Sequence, residues 1–140
     1  MREILFRGKR IDNGQWVYGK LCDNTYGASK PIIITDSEYN DGNDIDFEWE
    51  FVCPETVGQY TGLTDKNGKK VFEGDILKVL DCFDNEVIYL IDYKDSTFCA
   101  NQKGVNFSTH LSNFNSGEYR IEIIGNIFDN PELLEENKNV

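Results

Sequence analysis

A mainly β fold built on small-barrel turns is what this 140-residue sequence predicts, and three observations carry that reading. The composition favours strands: nine Phe, seven Tyr and two Trp stand against two Ala. Aromatic and β-branched side chains suit a pleated, half-buried surface. The run Gln59-Tyr-Thr-Gly-Leu-Thr-Asp-Lys-Asn-Gly-Lys-Lys-Val-Phe-Glu-Gly-Asp-Ile76 packs turn residues between short apolar runs. Ile45–Val52 alternates strictly, with Ile45, Phe47, Trp49 and Phe51 on one face and Asp46, Glu48 and Glu50 on the other.

Taken in order, Ile4–Arg7 and Gln15–Leu21 flank the turn signal Asp12-Asn13-Gly14 and predict an N-terminal hairpin. Pro31–Thr35 reads as a short buried strand, with proline tolerable only at its beginning. Asn67-Gly68 readily takes positive φ and Asp65 can bond its own backbone two residues on, so Leu63 and Val71-Phe72 should flank a short hairpin loop. Gly74-Asp75 then opens Ile76–Leu80, too apolar to face water on both sides. Glu86–Tyr93 and Thr97–Ala100 suggest a further strand pair. Asn106–Phe114 is compatible with a short helix or a loop, and Tyr119–Phe128 with a long strand bent at Gly125. Asn130 as a cap and Pro131 at the first helical position predict about two turns of helix over 131–137.

The length favours one domain with a real core. The alternative is a separate N-terminal β subdomain over 1–57, followed by a barrel core over 58–130 and the short helix. The four cysteines, at 22, 53, 82 and 99, contain no Cys-x-x-Cys, and His110 is the single histidine. Zinc-finger spacing is absent, and four reduced, mostly buried thiols are expected. The first apolar run breaks after three residues (Ile4-Leu5-Phe6) and no 18-residue apolar stretch exists, so neither a secretory signal nor a membrane span is expected. A cytoplasmic protein follows from these expectations.

Charge is the second informative feature. The net charge is −11, and from Asp36 to Glu55 there are eight acids and no Lys or Arg. The basic residues Arg7, Lys9 and Arg10 cluster near the start. Phosphate contacts need concentrated positive charge, so nucleic-acid binding is disfavoured for the chain as a whole. An EF-hand loop with Gly42 at its sixth position would place Ser37 and Tyr39 where oxygen-rich ligands are needed, and that match fails. Asp46, Glu48 and Glu50 would set three carboxylates about 7 Å apart along one strand. That spacing is compatible with mimicry of DNA phosphates and equally with a solvated outer face. The basic and acidic tracts could also meet between subunits, or satisfy each other within one chain.

Three blocks carry a family resemblance. They are Arg2-Glu-Ile-Leu-Phe-Arg-Gly-Lys with Gly14-Gln-Trp-Val-Tyr-Gly; Tyr60-Thr-Gly-Leu-Thr-Asp-Lys-Asn-Gly through Phe72-Glu-Gly-Asp-Ile; and Ile123-Ile-Gly-Asn-Ile-Phe-Asp-Asn-Pro-Glu-Leu-Leu. In order and combination they resemble the YopX family, small proteins encoded by phages and prophages. The resemblance implies an SH3-like barrel and a homo-oligomer, and it supplies no reaction and no catalytic residues.

Chemistry is sparse. No Gly-x-Ser-x-Gly elbow, P-loop or Gly-x-Gly-x-x-Gly occurs, and a lone His110 is far more often a hydrogen-bonded residue than a catalyst. The expectation is a non-enzymatic accessory protein without cofactor or metal, acting on a host or phage protein or on copies of itself. The competing expectation is an acidic DNA mimic that inhibits a host nucleic-acid enzyme. Arg7, Lys9, Arg10, Asp46, Glu48 and Glu50 are the interaction candidates.

Overall fold

The computed structural model describes residues 3–23, 30–39 and 45–135, with 36–39 and 45–47 described by backbone only. The chain divides into two compact units, Met1–Tyr60 and Thr61–Val140. The strands make antiparallel sheets, and the described residues contain no α-helix.

The first unit contains β1 (Phe6–Lys9), β2 (Trp16–Cys22), β3 (Ile32–Tyr39), β4 (Ile45–Phe51) and the beginning of β5 (Gly58–Thr64), in sheet order β4-β3-β2-β1-β5. The expected N-terminal hairpin is present: β1 and β2 pair with Arg7 opposite Tyr18 and Lys9 opposite Trp16. β3 runs four residues past the expected strand, through a bulge between Ile34 and Asp36 where it pairs with β4. Ile33 and Val52 are fully buried. A single bridge, Arg10 to Val52, joins the end of the first hairpin strand to the residue after β4. Gly19 sits where a Cβ would lie 2.0 Å from the Ile34 carbonyl oxygen, so only glycine lets β2 and β3 approach this closely.

The second unit contains the rest of β5, β6 (Lys70–Phe72), β7 (Asp75–Leu80), β8 (Glu86–Lys94), β9 (Thr97–Gln102), β10 (Ser108–His110) and β11 (Arg120–Asn126). β6 lies beside β5, and the others form a sheet in the order β10-β9-β8-β7-β11. Its core gathers Val71, Leu77, Val79, Tyr89, Ile91, Ala100, Leu111, Phe114 and Ile121. The ambiguous segment before Asn115 resolves into β10 and a 3-10 turn, Leu111–Phe114, whose two apolar ends are buried. β11 is irregular between Ile123 and Gly125, where the bend was expected.

Three expectations need correction. Among the described residues no SH3-like barrel is closed, because each sheet ends in terminal strands instead of joining its first strand to its last. The helix over 131–137 is a single 3-10 turn, Pro131–Leu134, and 136–137 lie outside the described residues. Asn130 makes no side-chain cap there; its Oδ1 turns back to accept the Asn126 N–H at 3.2 Å, and Glu135 is already extended. Of the four cysteines only Cys99 is buried; Cys22 ends a strand and Cys82 sits in a turn, both exposed. No helix among the described residues is long and apolar enough to cross a membrane.

Candidate functional site

In the first unit, strand register decides what the charged candidates can do. Residues paired across antiparallel strands share a face, so Arg7, Lys9, Trp16, Tyr18, Ile32, Ile34, Trp49 and Phe51 all belong to one side of the sheet. Arg7 is 5% exposed, its guanidinium carbon 4.5 Å from the Trp16 ring centroid. Lys9 Nζ lies 5.5 Å from the same centroid. Two of the three candidate cations therefore rest on one indole, a cation–π arrangement that keeps their stems packed.

Arg10 is the cation that meets the acidic tract. Its Nη2 lies 2.6 Å from Asp12 and 3.3 Å from Glu50, within the one chain. The Arg10 hydrogen bond holds the Asp12 carboxyl below its ordinary range, and the same bond raises Arg10. Glu48 is exposed, and the side chain of Asp46 falls outside the described residues. The structure thus brings Arg10 and Glu50 together and leaves Glu48 facing solvent.

The apolar face of β4 behaves differently from a simple amphipathic strand. Trp49 is 47% exposed, Phe51 41% and Tyr18 48%, all on the Ile32–Ile34 side. Trp49 and Phe51 pack edge to face, with ring centroids 5.0 Å apart. This arrangement presents rigid aromatic area at the terminal strand of a sheet.

The second unit holds a pocket of about 210 Å³, lined by Leu63, Phe98 and Leu111 on its apolar side and by Thr61, Thr97, Ser112 and Asn115 on its polar side. Thr61 Oγ1 donates to the Val71 carbonyl at 2.8 Å and accepts the Leu63 N–H, which fixes the β5 wall. Lys94 pairs directly across from Thr97, and His110 Nδ1 lies 3.4 Å from Thr97 Oγ1. No group of three His, Cys, Asp or Glu side chains suited to a metal ion occurs among the described residues.

At the other end of β8 the turn between β7 and β8 presents Phe83, 82% exposed. Asp81 Oδ1 accepts the N–H groups of Phe83 at 2.8 Å and Asn85 at 3.0 Å, and Oδ2 accepts Asn85 Nδ2. Those bonds, the Asn85 side chain first, hold the Asp81 carboxyl below its ordinary range. Asp84, at φ 61°, forms an ion pair with Arg120. Reading the sequence did not single out this turn or the pocket. The cluster Asp81, Asp84 and Asn85 is a turn signal that could have located Phe83 at a tip.

A solved structure resembles this chain over nearly its full length. It is protein EF1440 from Enterococcus faecalis, 28% identical, with a TM-score of 0.61, covering 96% of this chain and all of that one. No curated protein matches the chain. The family described as "YopX protein" matches residues 5–135, which contain both units' strands and nearly all of the three sequence blocks. The chain belongs to the YopX family.

Proposed function

We propose that this is a phage or prophage accessory protein, non-enzymatic, acting in the cytoplasm of the bacterial host through protein–protein contact, self-assembly included. The observation that supports it best is the distribution of exposed side chains. Arg7 is withdrawn against Trp16 and Arg10 is engaged by Asp12 and Glu50, while Tyr18, Trp49 and Phe51 remain open on a rigid sheet face. Exposed aromatics on one sheet face, two of them packed edge to face, are of the kind enriched at contact surfaces with other proteins.

The DNA-mimic reading rests on Glu48, which is exposed, and on the backbone placement of Asp46 in the same strand. Glu50 contributes less to it, because Arg10 offsets its charge. The two readings separate in one experiment. Tagged wild type, Trp49→Ala/Phe51→Ala and Asp46→Asn/Glu48→Gln/Glu50→Gln are recovered from phage-infected cells, with and without nuclease, and their partners identified. A partner that resists nuclease and disappears only with the aromatic variant supports the proposed contact. Loss only with the carboxylate variant replaces it by mimicry.

A further inference from the structure

We infer that the outer edge of β4 takes an extended segment of another protein, which adds to the sheet as an antiparallel strand and alternates Lys or Arg with apolar residues. This inference names the partner chemistry of the proposed contact surface and rests on that reading. β4 is the terminal strand of its sheet, and its backbone bonds show which groups point outward. Thr35 Oγ1 donates to the Glu48 carbonyl at 3.2 Å and the Val52 N–H to the Pro31 carbonyl at 3.1 Å, so even-numbered residues turn their backbone to the β3 side. Odd-numbered residues turn theirs away. The Phe51 carbonyl accepts the Ile11 N–H at 3.1 Å, and the Cys53 N–H donates to the Lys9 carbonyl at 2.8 Å. The chain thus covers this edge itself from Phe51 onward. From Ile45 to Trp49, about 17 Å of strand, nothing among the described residues pairs with it. Such a row of outward N–H and C=O groups is a template for a further strand.

Charge selects that strand. Paired residues share a face, and register sets Asp36 opposite Glu48 and Glu38 opposite Asp46. The bulge after Ile34 brings this about, because without it Asp36 would fall on the Trp49 side. Acidic positions of two strands therefore share one face at the open edge, and Arg10 offsets Glu50 there. Glu48 is exposed and pairs with no cation among the described residues. On the opposite face Trp49 and Phe51 stand exposed. An added strand meets acids on one side and aromatic rings on the other, which basic and apolar residues in alternation satisfy.

A second copy of β4 does not fit. In an antiparallel ladder outward residues pair with outward residues, so Glu48 would stand opposite Asp46, Glu48 or Glu50 of the other copy. Like charges directly opposite destabilise a strand pair. Acids alone would serve to blunt an edge, but a blunted edge gains nothing from two exposed rings along a seven-residue strand.

The test is fluorescence anisotropy of short labelled peptides titrated with the full chain. The probe alternates Lys and Val. One control carries Glu in place of Lys, a second carries N-methyl groups on the Val amides, and a third carries them on the Lys amides. In the antiparallel register Val lies opposite Trp49, so the Val amides face β4 and the Lys amides face away. The probe and the Lys-methylated peptide should bind alike, and the Glu peptide should not bind. The Val-methylated peptide should bind about tenfold more weakly or worse, since outward groups of β4 lose their partners. Trp49→Pro removes an outward N–H and spares the β3 ladder, so it should weaken the probe beyond Trp49→Ala, with circular dichroism checking both folds. Equal binding of the two methylated peptides overturns strand addition, and a Glu peptide that binds as tightly as the probe overturns the basic partner. A probe that does not bind, while Trp49→Ala/Phe51→Ala still loses its nuclease-resistant partner, overturns this inference and leaves the contact reading standing. No binding and no partner lost overturns both.

Discussion

Arg10 Nη2 lies 3.3 Å from a Glu50 carboxylate oxygen of the same chain, so the basic and acidic tracts touch inside one molecule. Glu50 projects from β4 and Arg10 follows β1, and the bridge from Arg10 to Val52 sets the two side by side. The sequence allowed this contact or an intersubunit one. Backbone pairing, which depends on residues far apart in the chain, brings the first of them into being.

Substituting Arg10→Gln or Glu50→Gln should therefore leave the oligomeric state unchanged. It should lower the thermal midpoint slightly at low salt and not at high salt, because exposed pairs are weak and screened. Melts and sedimentation at two ionic strengths check both parts. Dissociation on Arg10→Gln would instead assign the tract to an interface.

Asp65 is a buried acceptor whose removal should be felt throughout the second unit. Its Oδ1 accepts the Asn67 and Lys69 N–H groups, each at 2.9 Å, and its Oδ2 accepts the Ile123 N–H at 3.1 Å. The loop and β11 are thus tied through one carboxylate. Burial pushes that carboxyl up, but the three N–H donors outweigh it and hold it below the ordinary Asp range. A group depressed in the folded state contributes stability above its unfolded pKa, near 3.9 by the usual reference value, and that contribution fades as pH falls through the folded value. Asp65→Ala should cost roughly 1–3 kcal/mol at neutral pH, since it leaves donors without their acceptor. Urea unfolding between acid and neutral pH should show a flatter acid limb in the variant.

Gly19→Ala should destabilise the first unit more than an ordinary surface change. The added Cβ would meet the Ile34 carbonyl oxygen at 2.0 Å and Ile33 Cγ2 at 3.1 Å. Backbone cannot yield as a side-chain tip can, so a loss of about 1–3 kcal/mol is expected. Chemical denaturation followed by Trp16 and Trp49 fluorescence measures it.

Much of the strand layout was legible because it depends on local pattern. Alternation over Ile45–Phe51, the Asp65–Gly68 turn and the apolar run Ile76–Leu80 each contain their own signal, and each appears where it was read. What could not be read depends on partners distant in sequence. Arg7 looks like a surface cation until register brings Trp16 beside it. Trp49 and Phe51 look like core until the sheet face they occupy proves open. Asn130 and Pro131 do form a turn, but Asn130 bonds Asn126 and the turn stops short of an α-helix. Gly125 allows this approach, since a Cβ there would lie 2.5 Å from Asn130 Oδ1.

Sedimentation velocity of the wild-type chain at low salt and at about 1 M salt, where screening extends only about 3 Å, tests most directly whether apolar contacts join the copies. An oligomer of the same size in both conditions is expected, because burial of exposed aromatic surface such as Trp49 and Phe51 does not weaken with ionic strength. Dissociation at high salt would contradict that claim and return the interface to the charged tracts, and a monomer in both conditions would remove self-assembly altogether.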